Sequence, residues 1–149
     1  MKIVLIVCVV VILGYGVWKN HRAAKGVGVV DGNLTPCGSR PNCVSSEGPK
    51  THLVQPLPYL GSHSFSLILE HLNKHYKTEV LEQNSNYLHV VISTNTFRFK
   101  DDLEFLLKPE QGLIEMRSAS RLGYSDLGVN RKRLEKLRLY LEASQRLQH

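Results

Sequence analysis

The chain has 149 residues, 42% hydrophobic and 21% charged, with 19 Lys and Arg against 13 Asp and Glu. That length and balance fit one globular domain and exclude a disordered chain, a collagen repeat and a disulfide-dense mini-protein. The formal +6 would suit a nucleic-acid binder, but the charge is divided. Residues 1–25 carry four basic and no acidic side chains, residues 26–116 carry 7 basic and 10 acidic, and residues 117–149 carry 8 and 3, so no continuous basic stripe is expected and nucleic acid is not a predicted partner.

Ile3 to Trp18 is a charge-free run dominated by β-branched residues and Leu. As a helix it covers about 24 Å at about 1.5 Å per residue, against a hydrocarbon core of about 30 Å, so spanning needs bilayer thinning or snorkelling of Lys2 and Lys19. Residues 1–20 are therefore expected to be an N-terminal membrane helix, with Trp18 at the interface and Cys8 a buried thiol. A cleaved signal peptide, with Gly14, Tyr15 and Gly16 at the cleavage site, is the alternative. Lys19, Arg22 and Lys25 beside the bilayer point to a membrane partner. The predicted setting is a cell membrane, single-pass, with the domain on the extracytoplasmic side; Lys19, Arg22 and Lys25 after the run against Lys2 before it would, under the positive-inside rule, place it in the cytoplasm instead.

Residues 21–34, with Gly26, Gly28 and Gly32, read as a flexible linker. Cys37 and Cys43 then bracket Gly38-Ser39-Arg40-Pro41-Asn42, a turn-forming stretch that brings them within reach of a disulfide. Free thiols, or a metal site with His52 as the nearest histidine, are the other readings. Pro49, Pro56 and Pro58 favour extended backbone. Ser64 suits a helix N-cap, and Phe65, Ile68, Leu69, Leu72 and Tyr76, with Leu67 off the stripe, carry a helix to about Lys77. His71 and His75 are four apart on that helix, but no third ligand accompanies them, so neither metal nor cofactor is predicted.

The period then falls to two. Strands are predicted over Thr78 to Glu82, Tyr87 to Ser93, Thr96 to Phe99, Leu103 to Lys108 and Leu113 to Arg117, the last two joined by a tight hairpin at Pro109-Glu110-Gln111-Gly112. Helical spacing returns through Leu134, Leu137, Leu141, Ser144 and Leu147. The order implies an α+β domain over residues 35–149, an antiparallel sheet of about five strands with two helices packed on one face, preceded by the membrane helix.

The stretch from Arg117 to Arg133 has the most distinctive chemistry. Arg117, Arg121 and Arg131 offer charge, and Ser118, Ser120, Asp126 and Asn130 offer polar groups near Gly123 and Gly128. Together they are candidates to converge on a carboxylate or phosphate. The alternative is a structural loop in which Ser125 caps the last helix and Arg131 pairs with Glu135. Asp101 and Asp102 are strand neighbours pointing to opposite faces, so they cannot share a proton, and one of them pairing with Arg117 or Arg121 is expected.

Three motifs in order, Thr35-Pro36-Cys37 with Arg40-Pro41-Asn42-Cys43-Val44-Ser45-Ser46, Asp101-Asp102-Leu103-Glu104-Phe105, and Arg117-Ser118-Ala119-Ser120-Arg121 with Gly123, Ser125-Asp126, Gly128 and Asn130-Arg131, resemble an uncharacterised domain family of bacterial envelopes and plant plastids. The resemblance spans about residues 34–140 and implies one compact domain, usually behind a signal or anchor. It brings no activity with it. Gly38 departs from the pattern, where a proline is expected after the first cysteine.

The leading functional expectation is a membrane-tethered, non-catalytic module that binds an anionic small molecule, lipid headgroup or acidic protein partner through residues 117–133. The alternative is a hydrolase or thiol-dependent enzyme using Cys37/Cys43 or Ser120, the triads being Cys43 with His52 and Asp102, or Ser120 with His89 and Asp126. Neither sits in a nucleophile elbow.

Overall fold

The computed structural model describes residues 2–21, 26–94 and 98–147. The chain runs through α1 (Lys2–His21), β1 (Val29–Val30), β2 (Asn33–Leu34), β3 (Cys43–Ser45), β4 (Leu57–Pro58), α2 (Ser64–His75), β5 (Lys77–Gln83), β6 (Tyr87–Ser93), β7 (Lys100–Lys108), β8 (Leu113–Ser120) and α3 (Val129–Arg146). Six strands form one antiparallel sheet in the order β3-β8-β7-β6-β5, with β4 also pairing β8, and β1 and β2 form a separate pair.

The sheet is larger than the expected five strands. β3 and β4 arise in the proline-rich stretch, where a strand of two or three residues leaves no alternation to detect. Part of the predicted strand Thr96 to Phe99 lies outside the described residues, and Arg98 adopts φ 52°, outside the extended range.

The expected membrane helix is overturned. Among the described residues no helix is long and apolar enough to cross a membrane. The charge-free run stops short of the hydrocarbon thickness, and Gly14, Tyr15 and Gly16 dilute its last turn. Side chains from Val4 to Leu13 are exposed, and Cys8 is an exposed free thiol rather than a buried one.

α2 and α3 cover one face of the sheet. Ile68 and Leu72 from α2, and Leu134, Leu137 and Leu141 from α3, pack on Leu88, Val90, Ile92, Leu103, Phe105, Ile114 and Met116. These are the alternate residues of β6, β7 and β8, as a pleated sheet with one apolar face requires. Ser64 is the first residue of α2 rather than its cap; its hydroxyl donates to the Gly61 carbonyl and accepts the Leu60 N–H. The 109–112 connection is a 3-10 turn closed by Gly112 at φ 67°, where a left-handed backbone favours glycine.

Among the described residues, no helix covers the other face around Tyr87 and Leu106. Residues 26–36 cross it as a strap. Asp31 and Gly32, both at positive φ, make the two-residue turn between β1 and β2, the geometry for which Asp-Gly is suited. Leu34 is buried against Tyr87 and Leu106. A stretch whose glycines suggest a linker is thus docked on the sheet.

Candidate functional site

Alternation along β7 sends Asp101, Leu103 and Phe105 toward the helices and Asp102, Glu104 and Leu106 toward the strap. Both faces are covered, so carboxylates of both sets are buried. A buried carboxylate is tolerated only with partners, and each has an arginine.

On the strap face, Glu104 accepts hydrogen bonds from Arg117 Nη1 at 2.6 Å, Tyr87 Oη at 2.7 Å and the Gly28 amide at 2.6 Å. Two residues along, Asp102 accepts from Arg121 through Nε at 2.8 Å and Nη2 at 2.7 Å, and from His89 Nε2 at 2.8 Å. The two units repeat one design, a carboxylate on β7 between an aromatic donor on β6 and an arginine from β8 or its exit. Burial alone would raise the Asp102 carboxyl, but the Arg121 and His89 hydrogen bonds hold it down at about 2. Burial and the Glu104 carboxylate push the Tyr87 phenol well above its ordinary value.

On the helix face, Asp101 accepts from Arg133 Nη2 at 2.8 Å, and Arg133 Nη1 donates to Asn130 Oδ1 at 2.6 Å. Asn130 also takes the Ser118 hydroxyl at 2.5 Å and donates to Ser120 Oγ at 3.0 Å and the Asn42 carbonyl at 3.3 Å. The Arg133 guanidinium lies 5.3 Å from the Tyr76 ring centroid. This network pins the start of α3 to β8 and to the cysteine loop.

The seven predicted ligand-binding residues therefore do not converge. Arg117 and Arg121 sit on the strap face, whereas Ser118, Ser120 and Asn130 meet on the helix face. Asp126 occupies the place expected for an external anion: its carboxylate accepts the Gly128 and Asn130 amides at 3.0 and 2.7 Å, filling the helix N-terminus with the chain's own charge. Gly128, at φ 78°, is the residue preceding α3. Arg131 is exposed and donates to the Leu53 carbonyl at 2.6 Å. The basic surplus of residues 117–149 and the acidic surplus of 26–116 largely meet inside the fold.

Cys37 and Cys43 form a disulfide, with Cα atoms 5.7 Å apart. Neither sulfur is a thiolate, and His52 Nδ1 faces the Cys43 carbonyl, not its sulfur. Ser120 lies on the helix face with Asn130 while His89 lies on the other, so the two triads that could be written from the sequence are not assembled. No group of three or more potential metal ligands occurs among the described residues.

The disulfide loop and the 121–128 loop are joined at one end of the sheet. Asn42 Nδ2 donates to the Gly123 carbonyl at 2.9 Å, and the Ser120 amide donates to the Asn42 carbonyl at 2.9 Å. Held this way, the loop presents Tyr124 and Leu127, 72% and 86% exposed. Arg40 in the disulfide loop, and Arg131 and Lys132 in the first turn of α3, are exposed. Leu127 adopts φ 54°, a left-handed conformation disfavoured for a leucine. Charge patterning in the sequence does not point to Tyr124 or Leu127. Nor does it single out Glu104, whose spacing of two from Asp102 is the signal that places both on one strand face.

No curated protein and no solved structure matches this chain. The family described as "Protein of unknown function (DUF1499)" matches residues 33–141, covering the disulfide loop, the exposed loop and every side chain of the two buried networks, and the chain belongs to that family.

Proposed function

We propose that the domain is a non-catalytic binding module whose contact surface is the end of the sheet formed by residues 38–41 and 121–132, and whose partner is an acidic protein surface. The observation that carries the reading is Leu127. An exposed leucine gains nothing from burial, and a left-handed backbone costs roughly 1–2 kcal/mol for a residue with a Cβ. Glycine or asparagine would fold better there, so the leucine is explained by what it meets outside the chain.

Tyr124 adds a second exposed anchor, with an apolar ring and a polar hydroxyl, and Arg40, Arg131 and Lys132 supply a cationic rim, a composition suited to a protein interface. Buried Arg117, Arg121 and Arg133 are matched by carboxylates and serve the frame. The disulfide supports a location outside the cytoplasm, where such bridges persist.

The test is an amide-resonance titration of the full chain with an acidic peptide carrying Glu and Tyr. Shifts confined to residues 38–41 and 121–132, lost in Leu127→Asp with the melting temperature unchanged, support the reading. Absent shifts, or shifts spread over the whole surface, defeat it.

A further inference from the structure

β5 is the long open edge of the six-stranded sheet. Among the described residues it pairs with β6 and with no other strand, and of its seven residues all but Thr78 are exposed. The opposite edge is made of β3 and β4, three and two residues long, too short to template a neighbouring chain.

An edge as long as β5 is normally blunted by a bulge or by charge. The bulge here falls between Val80 and Glu82, so it bends the C-terminal part of the strand and leaves Tyr76 to Val80 regular. Tyr76 is already extended, at φ −139° and ψ 156°. Lys77 is the blunting charge, but Glu79 stands two residues along on the same sheet face, the two lying opposite Ser93 and Val91 of β6. The other face carries Thr78 and Val80, opposite Ile92 and Val90 of the core. Val80 is 45% exposed, an aliphatic side chain at the margin of the helix-covered layer.

We infer that two copies of this chain pair through β5, antiparallel about a two-fold axis at Thr78, joining their sheets edge to edge. A two-fold axis normal to the sheet sets one residue opposite itself, which leaves few registers. Centred on Lys77 or Glu79, the pairing opposes like charges. Centred on Val80, it runs through the bulge and sets Lys77 against Gln83 and Glu79 against Leu81, so neither charge is answered. Centred on Thr78, it sets Lys77 of each copy against Glu79 of the other and Val80 of each against Tyr76 of the other, with the two Thr78 residues face to face. Opposite charges, an aromatic with a β-branched side chain and a threonine pair are all favourable cross-strand neighbours. Backbone groups that β5 turns away from β6 supply the ladder. The surface shares no residue with the loop at residues 121–132 and does not depend on it.

Sedimentation velocity of the full chain, from dilute to concentrated solution, reads the association, and a monomer–dimer equilibrium is expected. Lys77→Glu and Glu79→Lys each turn two attractive pairs repulsive at once and should weaken dimerisation at least tenfold. Combined in one chain they exchange the charges and should restore it. Among the described residues neither side chain takes part in an ion pair within the chain, so the substitutions leave the monomer's own pairs in place. A parent chain that stays monomeric, single variants that associate as tightly as the parent, or a double variant as weak as the singles overturns the inference. Association through the exposed side chains of α1 gives the second of these results, because it is blind to all three variants. Should a variant fail to fold, hydrogen exchange of the parent chain decides. Amides of residues 77–80 that slow with concentration while those of residues 82–83 do not support the pairing, and rates independent of concentration overturn it.

Discussion

Arg121 grips Asp102 with two hydrogen bonds, Nε to Oδ2 and Nη2 to Oδ1, and both side chains are buried although they are 19 positions apart in sequence. The fork-to-carboxylate fit is the geometry in which an arginine cannot be replaced by lysine without loss. The pair closes the upper end of the β7–β8 hairpin.

Removing one partner leaves the other charge buried and alone. Asp102→Asn is expected to lower the unfolding free energy by about 3–5 kcal/mol, measured by urea titration at neutral pH. Arg121→Lys should fall short of that loss but still be destabilising. A change within experimental error for Asp102→Asn would mean that the pair contributes nothing to the fold.

The same carboxylate gives the domain an acid limit. Its folded value of about 2 lies below the ordinary 3.8, so the stabilisation is complete above the unfolded value and is lost as pH falls through the folded one. Stability should drop between about pH 4 and pH 2 by about 2 kcal/mol from this group. Asp102→Asn should flatten that part of a stability-versus-pH curve.

His71 shifts in a second pH window. Burial, then the neighbouring charges of His75, Lys74 and Lys136, lower its value. The neutral form is favoured in the fold, so stability falls as pH drops below the unfolded value near 6.5. His71→Gln should reduce the loss in melting temperature between about pH 7 and pH 5; an unaltered loss would assign it to other groups.

At the exposed loop, stability and binding should separate. Leu127→Gly relieves the left-handed strain without deleting a packed side chain and is expected to raise the unfolding free energy by roughly 0.5–1 kcal/mol. The same substitution should abolish the acidic-peptide shifts. Calorimetry and titration on one sample check both.

The disulfide closes a short loop, Cys37 to Cys43, six positions apart. Chain entropy alone gives it about 2 kcal/mol of stabilisation. Cys37→Ser with Cys43→Ser should cost about that much in a urea titration, and Asn42 should then hold the Gly123 carbonyl less firmly, seen as faster exchange around residues 121–124.

Long, strongly patterned elements are legible in the sequence. β6 emerges over its observed span because Leu88, Val90 and Ile92 alternate, and α3 because Leu134, Leu137 and Leu141 recur at helical spacing. β7 and β8 run beyond their predicted ends. Those ends carry Asp101, Asp102, Ser118 and Ser120, polar residues that resemble loop until a second covering layer makes them core. The strap differs from the expected linker for a related reason: its glycines suggest freedom, while the turn signal Asp31-Gly32 and the single anchor Leu34 are too sparse to register as a hairpin. The arginine-rich stretch resembles a ligand site because its partners, Asp101, Asp102 and Glu104, lie on another strand. Local composition contains the cations but not the acids that neutralise them.

The hairpin placement of the buried pairs also bears on how the chain finds its fold. Glu104 meets Arg117 across 13 positions and Asp102 meets Arg121 across 19, so both contacts need only the turn at 109–112 to form. Loop closure over such spans is entropically cheap, and opposite charges attract before water has left. β7 and β8 can therefore register while still hydrated, with docking of α3 through Arg133 and Asp101, 32 positions apart, following afterwards. Glu104→Gln is therefore expected to slow refolding as well as destabilise the domain, read by stopped-flow; an unchanged refolding rate would assign the pair to the finished fold alone.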